Sequence, residues 1–312
     1  MARYKEEKFN DLGLGSRPSA GRVRSLNKNG TFNFKRTGIP FLERVDFFHS
    51  LITMSWIKFF GIIFLGYILA NLFFAGIYVL IGVEHLTGIE GNSKFDHFVE
   101  AFFFSSQTIT TLGYGRVAPV GIQASTIAAI ESMLGLLAFA LATGLLYGRF
   151  SSPRANIQFS QHAVVAPFHE INGFMFRLIN LKHSQLIEVE VTLTLSMQKT
   201  NSETREFFTL DLERKKVIFF PASWTIVHPI TDSSPLYRLT NDDFYNRDVE
   251  FIVLLKAFDE SFSQTVYSRS SYKAHEINWG EKFVYLINQE KGHLTVDVRR
   301  IDETEKAELN KE

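Results

Sequence analysis

The chain has 312 residues, enough for one large domain or two modest ones. Its 33 Lys and Arg equal its 33 Asp and Glu, which argues against a nucleic-acid binder, and its 46% hydrophobic residues exclude a disordered chain. Having no cysteine, it cannot carry a disulfide scaffold, a thiolate zinc site, an iron–sulfur centre or a thiol nucleophile.

Residues 1–44 read as a cytoplasmic arm, with Gly13, Gly15, Pro18, Gly21 and Gly30 leaving its first 35 residues flexible or extended. Over 45–57, Phe47, Phe48, Leu51 and Met54 recur at helical spacing. That pattern predicts an amphipathic helix on the inner membrane surface, the alternative being a short helix packed on protein. Between Lys58 and Glu84 lie 25 residues without a charge, enough to cross a hydrocarbon layer ~30 Å thick. This outer helix, 59–83, starts too deep in the chain and runs too long for a signal peptide. The next helix, 95–109, is too short and too polar to cross. Such a segment enters a membrane and returns only where protein buries it or water lines it. The inner helix, 118–150, is interrupted by Glu131.

Charge sets the orientation. Residues 1–58 carry eleven Lys and Arg against five acids, whereas 84–94 holds Glu84, Glu90 and only Lys94. The positive-inside rule places the N-terminus in the cytoplasm, and two spans bring the chain back there. The expectation is a multi-pass protein of the plasma (inner) membrane, residues 58–150 forming its transmembrane part.

Residues 151–312 have a different period. The segments 188–197, 215–220, 249–258 and 265–272 are strand-like, with turn signals at His228-Pro229, Ser234-Pro235 and Asn241-Asp242-Asp243. This predicts an antiparallel, immunoglobulin-like β-sandwich in the cytoplasm, with helix only in the charged tail at 302–312. No GxGxxG stands between a strand and a helix, which disfavours a Rossmann-type regulatory domain.

The most informative string is Thr108-Ile109-Thr110-Thr111-Leu112-Gly113-Tyr114-Gly115, between the half-span and the second span. An ion crossing a membrane sheds water, and inward-turned backbone carbonyls can replace those oxygens. Gly113 and Gly115 permit the backbone this requires, and the Thr111 hydroxyl adds another oxygen. The string is similar to the TVGYG filter of potassium channels. Thr110 to Gly115 would then be the filter, with potassium ions held at Thr111, Leu112, Gly113 and Tyr114. One chain supplies one wall, so a closed ring of four is needed.

The chain as a whole resembles the inward-rectifier potassium channel family, in its prokaryotic branch. The resemblance runs through 141–155 and 162–191, Thr225-Ile226-Val227-His228, Ser234-Pro235-Leu236-Tyr237, Ser270-Ser271-Tyr272, Glu276-Ile277 and Trp279-Gly280. It implies a homotetramer whose membrane pore continues into a β-rich vestibule, with passive, selective conduction and no enzymatic activity. Tyr147 aligns with the bulky residue of the family's bundle crossing, making it the candidate gate. Gly135 and Gly144 either flex the gating helix or allow close packing. Phe139 stands where strong rectifiers carry an acid, so magnesium or polyamine block deep in the pore should be weak. Glu188 matches a position lining the cytoplasmic pore, with Lys256 in place of a companion acid. Gln107 stands where the family usually has a glutamate behind the filter, and Arg116 where many potassium channels have Asp.

Glu131 should face the bundle or its cavity, as a tie to the pore helix, a pore-lining ring of charge or a plain structural contact. Lys58, Arg149 and Arg154 lie close to the inner membrane surface and are the candidates for contact with anionic lipid headgroups. No nucleic-acid partner is expected. Two rival readings remain: a weakly selective or nearly silent cation channel, prompted by Gln107 and Arg116, and a non-conducting receptor that uses its β-domain.

Overall fold

The structure, a computed structural model, describes residues 8–9, 23–35, 37–38, 40, 46–151, 155–181, 186–199, 204–220, 222–290 and 292–311. Arg154 and most of the first 22 residues lie outside these. Two compact units form, Gly38–Ser152 on one hand and Met1–Thr37 with Pro153–Glu312 on the other.

In the first unit, α1 (Phe47–Thr53) opens on Asp46, whose carboxylate accepts from the His49 N–H at 2.9 Å. It is shorter than the 45–57 expected. Met54 and Ser55 are extended, and α2 (Trp56–Ile81) begins directly after them. Ser93 and Asp96 form a reciprocal capping box that starts α3 (Lys94–Ile109). The inner helix α4 (Gly121–Phe150) follows a two-residue pairing of Leu86-Thr87 with Ala118-Pro119. By length and composition, α2 and α4 are apolar enough to cross a membrane. Phe74, Tyr78, Ala101, Phe104 and Val117 pack where α2, α3 and the loop before α4 meet.

The second unit is a sandwich of two sheets. Its strands, in chain order, are β1 (Lys8–Phe9), β2 (Ile157–Phe159), β3 (Ala163–Phe168), β4 (Ile171–Asn180), β5 (Leu186–Gln198), β6 (Arg205–Leu210), β7 (Lys216–Phe219), β8 (Ser223–Ile230), β9 (Glu250–Asp259), β10 (Gln264–Lys273) and β11 (Ile277–Trp279). One sheet runs β1-β6-β5-β9-β10 with β7 on β5; the other runs β8-β4-β3-β11 with β2 on β4. All pairs are antiparallel except β11 with β3. Alternation explains the layering: Val189, Val191, Leu193 and Leu195 of β5 point inward and are buried, while Glu190 and Thr192 face out. Phe174 and Phe251, one from each sheet, stack at 3.9 Å in the core between them.

Three expectations change here. Asn241-Asp242-Asp243 is no bare turn; it opens a short helix, Asn241–Asn246, capped by Thr240 and Asp243. The tail is not helical: Thr304–Lys306 pairs with Glu281–Phe283, and Asn310 exchanges hydrogen bonds with Asn172 at 2.9 and 3.0 Å. Strand pairing and a side-chain anchor outweigh the tail's local helix preference.

Nor are residues 23–35 free. The N–H groups of Ser25 and Leu26 donate to the buried Glu250 carboxylate at 3.0–3.1 Å, and Leu26 is itself buried. Arg24 and Lys28 pair with Glu276. Burial pushes the Glu276 carboxyl up, but the Lys273 N–H and these two cations outweigh it and hold it below the usual carboxylate range. Gly30 closes the turn at φ +79°, where a Cβ would stand 2.9 Å from the Arg269 carbonyl oxygen.

Candidate functional site

The loop that leaves α3 has an unusual backbone. Thr111, Gly113 and Gly115 have φ of 58°, 56° and 79°. An ordinary strand points successive carbonyls to opposite sides. Positive φ at every second residue lets them aim the same way, as a row of ion-coordinating oxygens requires. The loop is tied at its start: the Gln107 carbonyl accepts from the N–H groups of Leu112 and Gly113 at 2.8 and 3.3 Å. Thr110 donates to the Ser106 carbonyl at 2.7 Å. From Thr110 to Gly115 every residue is exposed within the single chain, Tyr114 by 76%.

The loop is tied at its exit as well. Arg116 pairs with Glu100 on α3, and its other amino group donates to the Gly88 carbonyl at 3.3 Å. Gly88 has φ +83°, and a Cβ there would stand 1.8 Å from the Arg116 carbonyl oxygen.

Behind the loop, polar side chains join three helices. Tyr78 of α2 donates to Glu131 Oε2 of α4 at 2.7 Å. Ser105 of α3 is hydrogen-bonded to Glu131 Oε1 and lies 3.0 Å from Asn71 Oδ1. Asn71 Nδ2 donates to the Tyr67 carbonyl at 2.7 Å, and the Tyr67 hydroxyl meets Ser106 Oγ at 2.5 Å. Glu131 is 0% exposed, its carboxyl group enclosed between α2 and α3. Its assignment as pore-lining is therefore corrected: the tie to the pore helix is what the structure has.

Other candidates separate in the same way. Gly135 is a packing glycine against the end of α3, whereas Gly144 has no atom within 4 Å of the position a Cβ would take. Phe139 and Tyr147, 72% and 74% exposed, lie open along α4. Lys58 is exposed, whereas Arg149 is half-buried. Its guanidinium donates to the carbonyls of Leu51, Ile52 and Met54 at 2.5, 3.0 and 2.7 Å and lies over the rings of Trp56 and Phe59. These bonds cap the end of α1, whose last carbonyls lack partners within the helix.

On the second unit, Glu188 is exposed at a bulge with φ 51°, its carboxylate 3.5 Å from Lys216. Glu190 stands in register with Lys216 on one side and Lys256 on the other. Acids on this face are thus matched by lysines.

Residues 157–312 match the inward rectifier potassium channel C-terminal domain, and residues 66–151 match a family described as ion channel. Inward rectifier potassium channel Kirbac3.1 of Paramagnetospirillum magnetotacticum is 37% identical over 276 residues, 86% of this chain and 91% of its own length. The chain belongs to the inward rectifier potassium channel family. Two further relatives are ATP-sensitive inward rectifier potassium channel 12 of Gallus gallus and G protein-activated inward rectifier potassium channel 3 of Mus musculus. Each is 29% identical over 91% of this chain, spanning 72% and 78% of its own length. As a member of that family the protein is a membrane potassium channel, not an enzyme.

For an inward rectifier, several residues of this site carry no sequence motif. Asn71, a polar residue within an apolar span, is a signal for the network beside Glu131. Glu100, Lys216 and Glu250 become informative only through their partners.

Proposed function

We propose that four copies of this chain form a cyclic homotetramer that conducts potassium ions passively through the loop Thr110–Gly115. The observation that carries this reading is the positive φ at Thr111, Gly113 and Gly115, on a loop left open along its length by the single chain. Four such loops around an axis give stacked rings of carbonyl oxygens from Thr111, Leu112, Gly113 and Tyr114, with the Thr111 hydroxyl beneath them.

In this reading both termini lie in the cytoplasm and Tyr147 closes the inner end of the pore. Lys58 meets anionic headgroups. Phe139 leaves the cavity without a ring of acid, and Lys216 and Lys256 offset Glu188 and Glu190 in the vestibule. Block by magnesium or polyamines is accordingly weak.

Gly113→Ala tests the filter directly. Within the chain no neighbouring atom would meet the new methyl group, and the positive φ at Gly113 disfavours any residue with a Cβ. Reconstituted in liposomes, the variant should lose preference for potassium over sodium. Native selectivity in Gly113→Ala would overturn the assignment.

A further inference from the structure

The polar contacts around Glu131 fix the position of one proton. Asn71 faces the Tyr67 carbonyl at 2.7 Å; a carbonyl only accepts, so the amide nitrogen points there and Oδ1 points at Ser105. Oδ1 carries no hydrogen. The Ser105 hydroxyl, 3.0 Å away, therefore gives its single proton to Asn71. Ser105 Oγ then meets Glu131 Oε1 as an acceptor, and two acceptors bond only with a proton between them. At the other oxygen, Tyr78 donates to Oε2 at 2.7 Å.

We propose that Glu131 is a neutral carboxylic acid whose proton is donated to Ser105. This closes one directed chain of hydrogen bonds, from Tyr78 through Glu131, Ser105 and Asn71 to the Tyr67 carbonyl. Each hydroxyl and acid proton is used once, and no acceptor faces another. The alternative, a carboxylate, leaves Ser105 with one proton for two acceptors and buries a charge that no cation among the described residues pairs with. Tyr78 is the one titratable group facing Glu131 from α2. On α3, Lys94, Asp96, His97 and Glu100 all precede Ser105 by more than a turn, and on α4 Arg149 lies at the far end.

The proton is thus a structural ligand that ties the pore helix to both spans, and α4 carries no ring of charge at this level. The consequence for conduction rests on the pore reading; the position of the proton does not.

Infrared difference spectra of the purified full-length protein at neutral pH test the assignment, native against Glu131→Gln. The expected result is loss of the carbonyl stretch of a protonated carboxylic acid. Glu131→Gln should keep the native melting temperature and selectivity, because its amide donates to Ser105 and accepts from Tyr78. Glu131→Ala should lower the melting temperature. In Ser105→Ala the band should persist but shift. Loss of carboxylate bands only, an unshifted band in Ser105→Ala, or a Gln variant as unstable as the Ala variant would each overturn the proposal. Absence of potassium flux from the native protein itself would count against the pore reading and leave the spectrum to decide the proton.

Discussion

Gly135 of the inner helix packs directly on the carbonyl oxygen of Ile109, the last residue of the pore helix: a Cβ at Gly135 would stand 2.0 Å from that oxygen. Backbone meets backbone there, so no side chain can yield. Gly135→Ala should push α4 away from the start of the filter. Overpacking of this kind costs about 1–3 kcal/mol, enough to lower the melting temperature of the protein and its potassium flux. Gly144→Ala is the control, since its position is open and removing a glycine from a helix interior stabilises by ~1 kcal/mol. A loss of flux in Gly144→Ala without a fall in melting temperature would mark Gly144 as the bending point. Native behaviour of Gly135→Ala would refute the close packing.

Arg116 and Glu100 hold the filter's exit to the pore helix, while Gln107 holds only its entrance through a backbone carbonyl. The pair is partly exposed and open to screening, so its contribution to overall stability is small. Its effect should fall on selectivity instead, because in the proposed filter the loop's length between the two ties would set the carbonyl rings. Glu100→Gln and Arg116→Gln should each admit more sodium relative to potassium in liposome flux. Exchanging the charges, Glu100→Arg with Arg116→Glu, should restore part of the preference. Equal selectivity in all four proteins would show that the exit tie is dispensable.

The architecture was legible in the sequence because hydrophobic period and charge decide it: uncharged runs, a half-span, a glycine-bearing loop, then alternating strands. What escaped depended on partners distant in sequence. Glu131 alone reads as a cost in an apolar span; only with Tyr78 and Ser105 in place does it become a tie rather than a pore lining. Arg149 reads as a surface cation until the carbonyls of Leu51, Ile52 and Met54 are beside it. The arm at 23–35 is rich in loop formers, and nothing local announces that Glu250 receives its backbone. The 302–312 tail has charged helix formers throughout, yet pairing with Glu281–Phe283 fixes it as a strand.

His228 supplies a pH dependence. It is buried on β8, with Nδ1–H donating to the Asp211 carbonyl at 2.5 Å and Nε2 accepting from the Ser234 hydroxyl at 2.8 Å. Burial pushes the imidazole below its ordinary range, against the opposing pull of Asp211. The unfolded chain therefore binds more protons than the folded one below pH about 6.5, and stability must fall as pH drops from there through the folded value. Thermal melts of the full-length protein should show this loss. His228→Gln should be less stable at neutral pH but flatter below it, and an unchanged slope would place the sensitivity elsewhere.

Arg149 decides between two roles for the end of the inner helix. Its three carbonyl bonds gather the last turn of α1, and its stacking on Trp56 and Phe59 holds the start of α2. Gly148, beside it, lets Ile52 approach: a Cβ there would be 3.2 Å from Ile52 Cδ1. A cation at a helix C-terminus contributes up to ~2 kcal/mol when partly buried, and a planar guanidinium reaches carbonyls that a single ammonium cannot reach together. Arg149→Ala should therefore lower the melting temperature in neutral detergent, with no lipid present, and Arg149→Lys should recover only part of it. Trp56 should become more exposed, read as a red shift in its fluorescence after Trp224 and Trp279 have been replaced by Phe. A residue serving mainly to bind headgroups gives the opposite pattern. Arg149→Ala would then melt like the native protein in neutral detergent and lose only its response to added anionic lipid. That outcome would return Arg149 to the membrane surface and leave α1 without its cap.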